Sequence, residues 1–217
     1  MKEKSPEREP HYYTDSEERL NIGTHAFGLL LSVIGTAALI VKAVQLGDAW
    51  HIIGFSVFGF SLINLYAAST IYHRSQEKEK RLKWQIIDHA SIYILIAGTY
   101  TPFTFFPLKG TIGWIIFGVV WGSAIVGVVL KMYFTGRYEL LSTIMYILMG
   151  WIVIFAIKPL YNNLPVEGLI WLFGGGIAYT TGAILFSIPR IKYNHAIFHV
   201  FVLIGSFCHF MAVYFYV

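Results

Sequence analysis

Cysteine is almost missing from this chain. The single Cys208 excludes an intrachain disulfide and any metal site built on several thiolates. Charge is scarce too: Asp, Glu, Lys and Arg make up 13% of the 217 residues, against 56% hydrophobic and 17% aromatic. That balance excludes an ordinary soluble domain, in which about a quarter of residues are charged. The first apolar run follows a charged stretch and lacks a short apolar core with a small-residue cleavage site. It therefore reads as a membrane span and not as a removable signal peptide.

The scarce charges are segregated. Seven apolar runs, about 22–44, 51–73, 86–106, 111–130, 140–157, 167–187 and 195–217, alternate with short charged connections. Each approaches the ~20 residues that a membrane-spanning helix needs. The expected fold is an all-α membrane protein, one seven-transmembrane helix bundle over 20–217 behind an N-terminal tail at 1–19. Basic loops stay in the cytoplasm. Thirteen of the sixteen Lys and Arg fall in the tail and after spans two, four and six; Lys42, Lys109 and Lys158 are on the other side. The N-terminus is expected inside and the C-terminus outside. The net charge of +4 follows from this topology and gives no reason to expect a nucleic-acid partner. The tail, charged and without aliphatic residues, is expected to be loose.

Within the apolar runs the polar residues gather at one end. Span seven opens with "HAIFH", His195 and His199 four apart; span two closes on His73, and span three carries Asp88 about a turn inside. Twelve acidic residues are present, and Asp88 is the one that lies well inside an apolar run. An ionisable group there is costly and generally has a partner or a function. Histidines at i and i+4 project from one helical face and can hold one ion, and three imidazoles plus water form an open zinc shell. No Glu follows His195, which excludes the helix-borne metalloprotease motif. A general base must come from elsewhere, and Asp88 is the candidate.

These residues belong to motifs. "ERLNIGTHAFG" holds Glu18, Asn21, Thr24 and His25; "STIYH" holds Ser69 and His73; "IDHASIYILIAGTYTPF" holds Asp88; "HAIFH" closes the series. In this order and over nearly the whole chain beyond the tail they resemble the bacterial hemolysin III family, relatives of the progestin and adipoQ receptors that include the adiponectin receptors. The resemblance implies zinc on His73, His195 and His199, Asp88 beside the water of that site, and Ser69 lining it. It also implies seven helices with an inward N-terminus and kinship with alkaline ceramidases, which hydrolyse a lipid amide.

Other polar residues have quieter readings. Glu18, Asn21 and His25 are expected to cap the first helix or hydrogen-bond to neighbouring spans, His89 to have a packing or interfacial role, and His209 to bond a neighbouring helix; His11 and His51 have no specific role. Pro102 is expected to bend or end span three, and "GGGIAYTTG" from Gly174 to Gly182 to allow close helix packing. Two classes of function stay open. One is a zinc-dependent hydrolase with a membrane lipid as substrate, Asp88 as base and Ser69 as oxyanion donor. The other is a non-enzymatic membrane-homeostasis or receptor-like protein in which zinc only braces spans two, three and seven. A pore-forming cytolysin suits seven apolar spans less well, and the sequence leaves the oligomeric state open.

Overall fold

The computed structural model describes residues 9–217. Seven helical rods follow the charge spacing: α1 (Asp15–Leu46), α2 (Ala49–Arg74), α3 (Lys78–Phe105), α4 (Thr111–Phe134), a fifth rod made of α5 (Glu139–Gly150) and α6 (Ile157–Asn163), α7 (Val166–Phe186) and α8 (Asn194–Tyr216). Six are long and apolar enough to cross a membrane; α3 is the exception. The composition of α3 explains this. Its buried positions include Ser91, Thr99, Tyr100, Thr101 and Thr104, so its polar groups face the bundle, where neighbouring helices can satisfy them.

Short turns set the order of neighbours. Gly47, in the left-handed region at φ 72°, ends α1, and one residue later the Asp48 carboxylate accepts the Trp50 N–H (3.1 Å) to start α2. Consecutive helices pack as antiparallel pairs, α1 on α2, α2 on α3, α3 on α4 and α7 on α8, while α1 meets α8 and closes the ring. Large side chains such as Phe155, Ile125 and Ile170 stay exposed on the outer faces, as a lipid-facing surface requires. The small residues of "GGGIAYTTG" allow α7 and α8 to approach closely: a Cβ on Gly175 would sit 2.2 Å from the His209 ring, and one on Gly182 2.6 Å from Phe201. His209 bonds the neighbouring helix as expected, Nε2 to the Leu172 carbonyl at 3.1 Å.

Pro102 lies in the last turn of α3, which ends at Phe105, close to the expected stop. Two sequence readings change. The fifth rod is broken, its middle being a 3-10 turn at Ile152–Ala156. Tyr100 of α3 reaches into the break, donating to the Gly150 carbonyl (2.7 Å) and accepting the Val153 N–H (2.9 Å). Groups that the helix no longer pairs are thereby paired by a neighbour, which is what permits irregular backbone at membrane depth. The tail is not loose where it is described. Residues 9–14 lie against the turn between α2 and α3, held by a buried Arg81 whose Nε donates to the His11 carbonyl (2.9 Å). Residues 1–8 are outside the described part.

Candidate metal centre

The end of the bundle that carries the basic turns brings α1, α2, α3 and α8 together, and three imidazoles converge there. His73 ends α2 on its buried face, while His195 and His199 lie on consecutive turns of α8. Each offers a nitrogen within 4.8 Å of the other two, and all three rings are buried. His73 Nε2 and His195 Nε2 are 3.1 Å apart. Two nitrogens bound to one tetrahedral zinc at about 2.0–2.1 Å would be roughly 3.3 Å apart.

The surroundings decide which ring nitrogen faces inward. The Glu18 carboxylate, ion-paired with Arg81, accepts from His73 Nδ1 at 2.7 Å, so the proton of His73 sits on Nδ1 and Nε2 carries the lone pair. Thr24 donates its hydroxyl proton to the Leu20 carbonyl (2.8 Å), and its oxygen accepts from His199 Nδ1 at 3.4 Å. That leaves Nε2 of His199 as the lone-pair atom. His195 is fixed by stacking and by its start: Tyr13 lies on one side (4.6 Å, 26°) and Phe186 on another (5.2 Å). Asn194 donates to the Phe186 carbonyl (2.8 Å), tying the end of α7 to the first turn of α8. Backing a histidine ligand with a carboxylate or hydroxyl through its other nitrogen is the usual support of a metal site. The donor set, three converging imidazoles of which His73 and His199 have their lone pairs turned inward, fits a zinc-like divalent cation.

Asp88 and Ser69 occupy different ground. Among the described residues the group able to hold a metal is His73, His195 and His199, without Asp88. Asp88 and Ser69 instead line a cavity of about 170 Å³ that also touches His195 and His199. The Ser69 hydroxyl is buried next to the Asp88 carboxyl group. From there the cavity runs along Ile92, Ile96 and Tyr100 of α3 and past Trp151 at the break, to Tyr179 and His209. His89 and Glu139 border it near Asp88; their closest approach, Nδ1 to Oε1, is 3.7 Å, and Glu139 pairs with the buried Lys131 (3.3 Å).

Sequence reasoning missed part of the centre. Arg81 looked like one of five loop cations, yet it is fully buried and bonds Glu18 and the carbonyls of His11, Tyr72, His73 and Ser75. Tyr13 gave no metal signal, although two adjacent tyrosines in a charged segment without aliphatic residues were a hint of anchorage. Glu18 and Asn21 do support the site, as Asn21 Nδ2 lies 3.5 Å from His73 Nδ1. His25 stacks on His199 with centroids 3.5 Å apart, which makes it a wall of the cluster.

A helical membrane bundle with a buried three-histidine cluster at one end is the class that these observations define. Comparison with known proteins narrows it. Residues 13–210 match the family described as Haemolysin-III related. The chain is 46% identical over 204 residues to Hemolysin-3 homolog of Bacillus subtilis (strain 168), covering 94% of this chain and 96% of that one. It is 44% identical over 201 residues to Hemolysin-3 of Bacillus cereus, covering 93% and 92%. Monocyte to macrophage differentiation factor of Homo sapiens is 27% identical over 224 aligned positions, 99% of this chain and 90% of the relative. The chain belongs to the haemolysin-III-related family and is a multi-pass protein of the cell membrane.

Proposed function

We propose that this protein is a zinc-dependent hydrolase that cleaves an amide bond in a membrane lipid. The observation that carries this reading is one cavity whose lining includes His195 and His199 of the histidine cluster together with Asp88 and Ser69. Beyond them the cavity is walled by apolar and aromatic side chains of α3, α7 and α8, as an acyl chain would require. With Asp88 outside the group, the three histidines would leave a bound ion room for water or substrate, as catalytic rather than structural zinc sites do. His73, His195 and His199 would hold the ion, and zinc there would supply Lewis acidity toward a carbonyl oxygen and toward water.

The remaining work falls to the chain. Asp88 accepts the proton of the attacking water and returns it to the leaving nitrogen. Ser69, beside Asp88, donates a hydrogen bond to the oxyanion that develops on the carbonyl. The aromatic and aliphatic walls hold the acyl chain and keep bulk water from the reacting carbonyl.

This reading includes seven crossings with the histidine end in the cytoplasm. The 28 residues of α3 extend about 42 Å, more than the ~30 Å hydrocarbon core, and its polar side chains are turned inward. The distribution of basic residues, thirteen against three, supports the orientation. A reporter fused after Val217 should register outside the cell and one before Lys2 inside; the reverse pattern would refute the topology.

Asp88→Asn tests the chemistry. It keeps size and one acceptor but cannot take a proton. Zinc content should persist, while release of fatty acid from a lipid amide should fall by ~10²–10⁴-fold. The decisive control is the parent protein in bilayers, with zinc shown to be bound, offered a panel of lipid amides and esters. Release of no fatty acid from any of them would overturn the hydrolase and leave zinc as a brace between helices.

A further inference from the structure

One carboxylate serves two masters at the histidine end. Oε2 of Glu18 holds Nδ1–H of His73 (2.7 Å), while Oε1 accepts from Arg81 and from the backbone N–H of Tyr13 (3.3 Å). Arg81, fully buried, extends the connection: its Nε donates to the His11 carbonyl (2.9 Å), its Nη1 to the Ser75 carbonyl (3.1 Å), and its guanidinium lies over Tyr12 (4.5 Å) and Tyr72 (4.7 Å). Residues 9–14 are anchored at both ends. Glu9 pairs with Lys78 at 2.6 Å, the Tyr72 hydroxyl donates to the His11 carbonyl (3.3 Å), and the Tyr12 hydroxyl to the Gln76 carbonyl (3.3 Å). The result lays the Tyr13 ring flat on His195, 4.6 Å between centroids, and 5.8 Å from His73. At the facing edge, Ser16 Oγ meets Tyr193 OH (3.2 Å), joining the start of α1 to the residue before α8.

An aromatic cover at this place has a physical consequence. The histidine cluster sits at the end of the bundle that carries the charged turns, where water reaches the helix ends. Without Tyr13 the outer face of His195 would stand open to that water and to any small chelating anion. With it, exchange must wait until a segment tied by several hydrogen bonds, two of them to the buried Arg81–Glu18 pair, lifts. Because the same carboxylate aims His73 and anchors the segment, displacing the cover and loosening the ligand are one event.

We propose that Glu18 is a positioning residue of the metal centre and that Arg81 couples it to a cap, residues 9–14, which governs how fast the bound cation exchanges with the aqueous side. The inference rests on the metal reading above, and its tests are chosen to fail separately from it. In purified protein loaded with zinc, Tyr13→Ala should speed zinc loss to excess EDTA by at least tenfold, whereas Tyr13→Phe, which keeps the ring, should match the parent. Glu18→Gln should weaken zinc at equilibrium by ~10–100-fold, the usual effect of losing a partner behind a histidine ligand. It should also change the visible spectrum of the cobalt-substituted protein, which a merely destabilised fold would not do. Tyr12→Ala, at a position 47% exposed and away from the histidines, offers a milder loosening in case Tyr13→Ala does not fold, and should also speed zinc loss.

The second arm uses metal-free protein. Carbethoxylation of His195 by diethyl pyrocarbonate, read by peptide mass, should be slow in the parent and several-fold faster in Tyr13→Ala and Tyr12→Ala. Chelator and modification rates that equal the parent's in both variants would overturn the cap. A protein that binds no zinc would overturn the metal reading alone, and His195 modification would still decide the cap.

Discussion

The histidine end and the fifth rod treat polar groups in opposite ways. At the histidine end the supporting groups reinforce each other: Glu18 holds His73, Arg81 holds Glu18, Thr24 holds His199. Three buried or half-buried side chains thereby turn the lone pairs of His73 and His199 toward one point. At the break in the fifth rod the polar groups are backbone, freed when the helix tightens into a 3-10 turn, and the Tyr100 side chain of α3 satisfies two of them. The first arrangement aims atoms at something outside the protein; the second repairs the protein itself. A ligand site and a structural irregularity can carry similar numbers of hydrogen bonds, and what separates them is whether acceptors remain turned inward after the chain has satisfied what it can.

The comparison breaks most sharply at the ligands. The parent protein should hold about one zinc per chain as purified, and His73→Ala, His195→Ala and His199→Ala should each remove most of it. Metal analysis of folded, monodisperse protein checks this. If His195→Ala and His199→Ala both retained full occupancy, the i,i+4 pair would be helix packing and the two regions would not differ in kind.

Most of the bundle was legible because a membrane leaves few ways to arrange a chain. Charge-free runs marked the rods, and the i,i+4 spacing of His195 and His199 put them on one face before any packing was known. His73 and Asp88 could be placed at the same depth from the ends of their runs. What could not be read depends on which side chain wins a contact. Arg81 stands among Arg74, Lys78, Lys80 and Lys83, and only tertiary burial distinguishes it from them. The separation of Asp88 from the three-histidine group depends on distances of a few ångström, finer than helix depth resolves. The break after Gly150 was hard to read because Trp151–Ala156 is as apolar as the helix around it; Pro159, in the first turn of α6, marks only its far end. Its signal lay elsewhere in the chain, in a tyrosine at position 100 of a polar-faced helix.

The break supplies the next effect in size. Tyr100→Phe keeps the ring and removes one oxygen that serves both the Gly150 carbonyl and the Val153 N–H. Each buried group left without a partner costs about 1–3 kcal/mol, with no water in the hydrocarbon region to replace it. Thermal unfolding in detergent should show a clear loss of stability, with zinc content unchanged. Loss of zinc in this variant would mean that the two regions form one cooperative unit.

The smallest effect lies on the other side of the same break. Trp151 Nε1 donates to Thr180 Oγ1 at 3.0 Å, and Thr180 donates in turn to the Gly176 carbonyl one turn back on α7 (2.8 Å). Thr180→Val has the same shape and removes the acceptor. The Gly176 carbonyl keeps whatever bond its own helix provides, so the net loss is one neutral hydrogen bond of about 0.5–1.5 kcal/mol. It should therefore fall below that of Tyr100→Phe in the same unfolding assay. Thr180 and Trp151 both line the cavity, so the variant also reports on the occupant. Freed from its acceptor, the Trp151 ring can turn, and its fluorescence should respond more strongly when a fatty acid is added to the variant than to the parent. An unchanged emission spectrum, with stability equal to the parent's, would show that the hydrogen bond does not hold the break, and that Tyr100 alone supports it.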